Sequence, residues 1–340
     1  MNRRLRFLPG LTALVLAVGA ATTGAATSAA SAAEATPSIC TTSGPIPAST
    51  ISSPLDLRNC PIEGREIVRS DGTDHMGLHV PPPGHGVGAY AVTTTGDYVL
   101  TAENVNGRLT VSTSVPATAP ATRPAATIAT DPACNELGVA YTGKVWNKTL
   151  KWYYNQSTVS RAGLDGITTR DDMRQANSNI TLGINNCGYS EAGFGSYIGG
   201  VPLGAYQGTT SKYANIGSNA MCTSNFPDGQ NTNSWGPFDS TAPNTLALTC
   251  WAWPPGSSFT SEADTYLGSN RNLVTSFSPY CTSSFDMETI MTHEWGHSYG
   301  LAHETSGPDE VMYPYAPKCG LRRHLGAGDY AGMANLYGTK

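Results

Sequence analysis

Hydrophobic and polar positions alternate with a period of two in several separate stretches, and each such stretch predicts a strand. Before residue 115 they are Ala89-Tyr90-Ala91-Val92 and Tyr98-Val99-Leu100, followed by Asn106-Gly107, a dipeptide that turns a hairpin, and Leu109-Thr110-Val111. Later come Lys151-Trp152-Tyr153-Tyr154, Leu246 to Trp251, and Glu262 to Leu267. Helical spacing runs from Thr169 to Asn185, with Thr168 or Thr169 as the N-cap and Asp171 and Asp172 complementing the dipole of the first turn. A second helix should begin near Ser283 or Ser284, with Asp286 completing a capping box, and a short last helix should cover Asp329 to Leu336. Gly188 to Ser240 is rich in Gly, Ser and Asn, and has turn chemistry without periodicity.

This pattern divides the chain. Arg3, Arg4 and Arg6 precede an apolar run from Leu11 to Ala21 and small residues ending in Ala30-Ser31-Ala32, so 1–32 reads as an export signal. Residues 33–115 form a small β-rich region. Pro, Ala and Thr dominate 116–132, a composition that favours an extended linker. Residues 133–340 are enough for one domain with its own core. No later run is long and apolar enough to span a membrane. The net charge is -5 and no Lys/Arg run follows the signal, which argues against nucleic acid as a partner. A secreted, extracellular, monomeric protein is expected.

Eight cysteines lie beyond the signal, and an even count in an oxidising compartment suggests disulfides. Spacing cannot fix their connectivity. Sequential pairing is the simplest arrangement: Cys40 with Cys60, Cys134 with Cys187, Cys222 with Cys250, Cys281 with Cys319.

The segment that carries chemistry runs from Thr292 to His303. His293 and His297 stand four apart, one helical turn, so both can reach a single zinc ion at about 2.0–2.1 Å. A third ligand further along the same helix would lie about 10 Å from the first, too far to share the ion. The helix must stop, and Gly300 supplies the stop, because glycine accepts the left-handed conformation that ends helices. His303 then arrives as the third ligand. Three imidazoles leave one tetrahedral position for water, which marks a catalytic site. Glu294, beside the first ligand, is placed to take a proton from that water as general base. Trp295 and Tyr299 occupy the opposite face and should pack against the sheet.

The spacing His-Glu-x-x-His-x-x-Gly-x-x-His resembles the signature of the metzincins, zinc metalloproteases with a tight methionine turn beneath the metal. Met312, in Val311-Met312-Tyr313-Pro314, fits that turn. Within the clan the chain is most similar to the matrixins, whose turn Met312-Tyr313-Pro314 matches and whose C-terminal helix ending Gly332 to Gly338 resembles. The resemblance implies an α/β zincin-like fold: a twisted, mixed five-stranded sheet with an antiparallel edge strand, an active-site helix, long loops and a C-terminal helix. It implies a secreted zinc endopeptidase acting on protein or peptide substrates, with residues 33–115 as a propeptide. Asp329 falls on an acidic position that matrixins use to bind their freed N-terminus. Leu246 to Trp251 is the candidate edge strand, offering its main chain to substrate. Tyr315 could line the substrate pocket or assist the oxyanion. One catalytic zinc is expected. The structural zinc of matrixins is not, because His324 is the sole histidine left in this part and reads as a surface residue. Glu304 resembles a position of the astacins but reads as a solvated turn residue. Asp228-Gly229-Gln230-Asn231 is a candidate calcium loop, although one carboxylate is few for Ca2+ and a polar turn is preferred. Arg58-Asn59-Cys60-Pro61 faintly resembles the matrixin latency motif, with a Cys40–Cys60 disulfide preferred. A non-enzymatic secreted binding protein with a structural zinc is the rival reading.

Overall fold

The computed structural model describes residues 37–51, 54–114, 119–120, 131–195 and 203–340. The expected export signal and most of the linker lie outside them. The described residues build one main sheet whose strands are β1 (Leu55–Asp56), β2 (His85–Thr93), β3 (Tyr98–Val105), β4 (Arg108–Ser112), β5 (Leu150–Tyr154), β6 (Gly204–Thr209), β7 (Asn231–Gly236), β8 (Thr245–Trp253) and β9 (Glu262–Gly268). Their spatial order is β6-β5-β7-β9-β8-β2-β3-β4-β1. From β6 to β9 neighbours run parallel; β8 is antiparallel to β9. From β8 to β1 every pair is antiparallel.

The sheet therefore has nine strands where five were expected. Five come from the C-terminal part, in the mixed arrangement with β8 antiparallel, and four come from the N-terminal region, which is not a separate β-unit. The join is β2 on β8, running from Gly86 opposite Trp253 to Thr93 opposite Thr245. Leu246 to Trp251 is consequently not a free edge. Backbone chemistry explains the difference: an edge strand exposes unpaired N–H and C=O groups that any extended segment of suitable sequence can satisfy. Here the segment is matched to its seat. A Cβ on Gly88 would fall 2.2 Å from the indole of Trp251, and one on Gly86 would fall 2.2 Å from that of Trp253, so only glycine lets β2 pass beneath these rings. The β3–β4 hairpin turns at Asn106-Gly107, both with positive φ, as the sequence predicts.

Two apolar cores flank the sheet. One gathers the helices with Trp152, Trp235, Trp251, Trp295 and, from β2, Tyr90 and Val92. The other joins Ala89, Ala91 and Leu100 of the N-terminal strands to Leu248, Phe238 and Tyr266. Alternation along β2 thus sends successive side chains into different cores. A second sheet of four short strands pairs Met221–Cys222 of the C-terminal part with His75–His79, tightening the same junction.

Among the described residues three α-helices complete the fold: α1 (Gly166–Leu182), α2 (Met287–Ser298) and α3 (Ala327–Tyr337). α1 starts before the predicted Thr169 because the Asp165 carboxylate caps it through the Thr168 N–H, and it stops at Gly183, which takes φ 71°. In α2, Asp286 is itself the N-cap, accepting from the Thr289 N–H, and Arg323 pairs with the same carboxylate at 2.6 Å. All four disulfides follow the sequential pairing. Cys60 is therefore tied to Cys40 and holds no free thiolate. No helix among the described residues is long and apolar enough to cross a membrane. Asn155 and Asn179, which stand in glycosylation sequons, are buried and hydrogen-bonded, so neither is accessible for a glycan.

Candidate metal centre

α2 delivers His293 and His297 from one face, one turn apart. Its other face is anchored by Trp295, whose indole packs 5.0 Å from that of Trp152 and donates to the Met173 carbonyl, and by Tyr299, whose hydroxyl accepts from Asn177. The helix ends where Gly300 adopts φ 103°, and a Cβ there would lie 2.3 Å from the Lys144 carbonyl oxygen. The chain turns back through Leu301–Ala302, and His303 reaches the other two rings.

The three Nε2 atoms lie 3.0–3.1 Å from one another. Each ring's Nδ1 faces a group that can only accept: the Val311 carbonyl for His293 (2.7 Å), the Leu301 carbonyl for His297 (3.0 Å) and the Asp97 carboxylate for His303 (2.5 Å). Those partners fix the protons on Nδ1, so three Nε2 lone pairs point at one spot inside the protein. Burial and the neighbouring rings hold His293 and His297 well below the ordinary imidazole range. Lone pairs packed this closely repel unless a cation lies among them. A tetrahedral ion at about 2.0–2.1 Å from each would space them about 3.3–3.4 Å apart, close to what is found. The set can hold a metal ion; among the described residues it is the one cluster of its kind.

Glu294 follows His293 on α2 and is fully buried. Its Oε2 accepts from the Thr249 hydroxyl of β8 at 2.5 Å, while Oε1 is buried without a hydrogen-bond partner. Burial pushes its carboxyl up to about 8, against the opposing pull of Thr249 and of the Val92 backbone N–H. Thr249 is in turn 3.0 Å from the Thr265 hydroxyl.

Met312 lies against α2 where Gly296 has no side chain; a Cβ there would sit 2.1 Å from its sulfur. The turn is braced by Asp329, whose carboxylate accepts from the N–H groups of Val311, Met312 and Gly326. Glu310 lies beside Asp329, and burial together with that neighbouring charge raises its carboxyl far above the usual range. Tyr315 is half-buried, with its ring 5.2 Å from Tyr313, and its segment pairs with Thr93 of β2. His324 is exposed on Asn186. Asp228 is engaged by Lys212 and by the Gln230 N–H. Glu304 departs from expectation: it is buried against Gly138, with Oε1 accepting from Ser306, because its carboxylate folds inward under the turn after His303.

Sequence reasoning missed Thr249, Asp97 and Tyr90. Tyr90 stacks on the His297 ring at 4.2 Å and on Trp251 at 4.9 Å. Asp97 and His303 are 206 residues apart, and no local pattern links them.

A mixed sheet, a helix carrying two histidines, a third after a glycine stop and a methionine packed on that helix make a site that could hold one metal ion. The comparisons agree: residues 210–338 match the matrixin family, and the chain is matrixin-like over that stretch. Human matrix metalloproteinase-20 is 42% identical over 60 residues, which are 17% of this chain and 12% of that protein. Metalloendoproteinase 1 of Glycine max is 40% identical over 57 residues, 17% of this chain and 18% of that protein. The chain thus matches less than a fifth of the length of either relative.

Proposed function

We propose that the chain is a secreted zinc-dependent endopeptidase that hydrolyses peptide bonds of extracellular proteins, made as a latent precursor. The observation that carries this is the pairing of three convergent Nε2 lone pairs with an adjacent buried carboxylate whose Oε1 has no partner. His293, His297 and His303 would hold the zinc, which when bound supplies Lewis acidity and lowers the pKa of water. Glu294 accepts the proton of the attacking water at Oε1 and returns it to the leaving amine, with Thr249 fixing the carboxylate through Oε2. Met312 supports the histidines from below, braced by Asp329. Tyr315 belongs to the segment opposite β8, the two sides of a slot for an extended peptide. Four disulfides and the leader pattern support export.

One observation favours the rival reading of a structural zinc in a binding protein: β2 roofs the centre, and His293, His297, His303 and Glu294 are all buried. A structural site, however, needs neither a carboxylate aimed at the open position nor a hydroxyl positioning it. Casein cleavage with and without a chelator separates the two. Chelator-sensitive cleavage that disappears in Glu294→Ala supports the peptidase; zinc-loaded protein that leaves casein intact supports the rival.

A further inference from the structure

The methionine turn and the start of α3 are bound to each other by two carboxyl groups that cross between them. Glu310 precedes the turn and reaches α3, where its Oε1 accepts from the Gly328 N–H and its Oε2 from the Asp329 N–H, both at 2.7 Å. Asp329, in the first turn of α3, reaches the other way: Oδ2 accepts from the Val311 N–H at 2.7 Å and Oδ1 from the Met312 N–H at 3.2 Å. Each carboxyl group thus holds the backbone that carries the other. The seat for Glu310 is cut to its shape, since a Cβ on Gly326 would lie 2.8 Å from its carboxyl carbon and one on Gly328 would lie 2.9 Å from Oε1. Both side chains are buried. Two neighbouring carboxyls away from water do not both ionise, and burial together with the Asp329 charge keeps the proton on Glu310.

The backbone so held leads to His293. One peptide group, between Val311 and Met312, is bonded at both ends: its C=O accepts from the His293 Nδ1–H at 2.7 Å, and its N–H donates to Asp329. Hydrogen bonds in such a chain polarise one another, so the Asp329 charge strengthens the bond that aims the His293 ring. The next carbonyl, that of Met312, accepts at 3.0 Å from the N–H of Glu304, the residue after His303. We propose that Glu310 is a positioning residue of the metal centre, which holds Asp329 against the Val311–Met312 peptide and through that peptide fixes His293. The proposal rests on the three histidines binding zinc, as in the function proposed above. Removing the Glu310 carboxyl takes away the anchor that keeps the first turn of α3, and Asp329 with it, against the methionine turn. The Val311 carbonyl is then free to shift, and the His293 ring with it.

The test uses the full chain with Glu294→Ala as the parent, so that no cleavage intervenes, and adds Glu310→Ala or Glu310→Gln. Zinc affinity is measured by competition with a chelating dye, cobalt(II) absorption reports the arrangement of the rings, and melting of the metal-free proteins is recorded beside them. Glu310→Ala is expected to weaken zinc binding by about 10-fold, the low end of what loss of a group bonded directly to a ligand histidine costs, because one peptide intervenes. Glu310→Gln keeps the shape, one acceptor and a donor for Asp329, and should weaken zinc binding by only about threefold. The cobalt spectrum should change in the same order. A role confined to stability would lower the melting temperature while leaving both the zinc affinity of the folded protein and the cobalt spectrum as in the parent. That outcome, with affinity within about twofold of the parent, overturns the proposal and leaves the zinc reading standing. Should Glu310→Ala fail to fold, Glu310→Gln decides by the same twofold limit. A parent that binds no zinc removes the metal centre and this inference together.

Discussion

Gly300→Ala is the substitution whose consequence the geometry states most directly. The residue holds φ 103°, and the added methyl would sit 2.3 Å from the Lys144 carbonyl oxygen and 3.4 Å from a Leu336 methyl. Forcing a non-glycine residue to positive φ costs about 1–3 kcal/mol. Overpacking against fixed backbone costs about 1–3 kcal/mol more, because Lys144 is main chain and cannot swing aside like a side-chain tip. The total is roughly 2–6 kcal/mol, and at about 2 °C per kcal/mol for a chain of this size the melting temperature should fall by roughly 4–12 °C. Relief would come from the backbone moving, which carries His303 away from the other two rings, so metal content should fall as well. Thermal melts of the metal-free protein measure the first effect, and metal analysis after dialysis measures the second. A variant that melts within about 1 °C of wild type and retains one metal per chain would show that Gly300 is not what returns the chain to the centre.

Other perturbations follow from single contacts. Glu294→Gln should lower turnover of a peptide substrate by about 10²- to 10⁴-fold while leaving metal stoichiometry unchanged, and wild-type turnover would remove Glu294 as the base. Chelation should lower the melting temperature by about 5 °C, as expected for a ligand present near a hundredfold above its dissociation constant, with recovery on adding zinc; an unchanged melt means the rings hold no metal. Asp97→Ala, made in the Glu294→Ala background so that no cleavage intervenes, should weaken metal affinity by about 10- to 100-fold by freeing the His303 ring, and titration against a chelating dye reports it. Burial pushes the Glu262 carboxyl up to about 7, so the folded state favours its protonated form. Stability from this group is therefore present below the ordinary carboxylate range and is lost as pH rises through about 7. Glu262→Gln should accordingly gain in melting temperature over wild type at pH 8 compared with pH 5, and an equal difference at both pH values would refute the assignment.

Much of the centre was legible because its rules are local. Two histidines one helical turn apart, a carboxylate beside the first and a glycine before the third encode their geometry in short-range spacing, and α2, Gly300 and His303 fall where that spacing puts them. Strand content was legible for the same reason, since alternation is a property of neighbours. Helix starts shifted by a few residues because Asp165 and Asp286 each reach an N–H three residues on, and several Ser, Thr and Asp residues nearby compete for that role. Glu304 was misread because carboxylates after a turn are usually solvated, whereas this one folds onto Gly138, a neighbour far away in the chain.

What the sequence could not display was the partner of β8. Its alternating residues announce a strand, and the antiparallel position at the end of the C-terminal strands announces an edge. Yet an edge able to receive a substrate's main chain is, by the same hydrogen-bonding requirement, able to receive a strand of its own chain. The choice between them lies in side-chain fit between residues far apart in the chain: Gly86 and Gly88 beneath Trp253 and Trp251, Tyr90 on His297, Asp97 on His303. Each of these residues has an ordinary local reading, glycine as a turn former, tyrosine as core, aspartate as a loop carboxylate. They acquire a joint meaning only in the fold, where together they seat β2 on β8 beside the histidines. Because β2 takes the backbone groups of β8 that an added strand would need, a substitution that loosens β2 from β8 should free that edge for another extended segment.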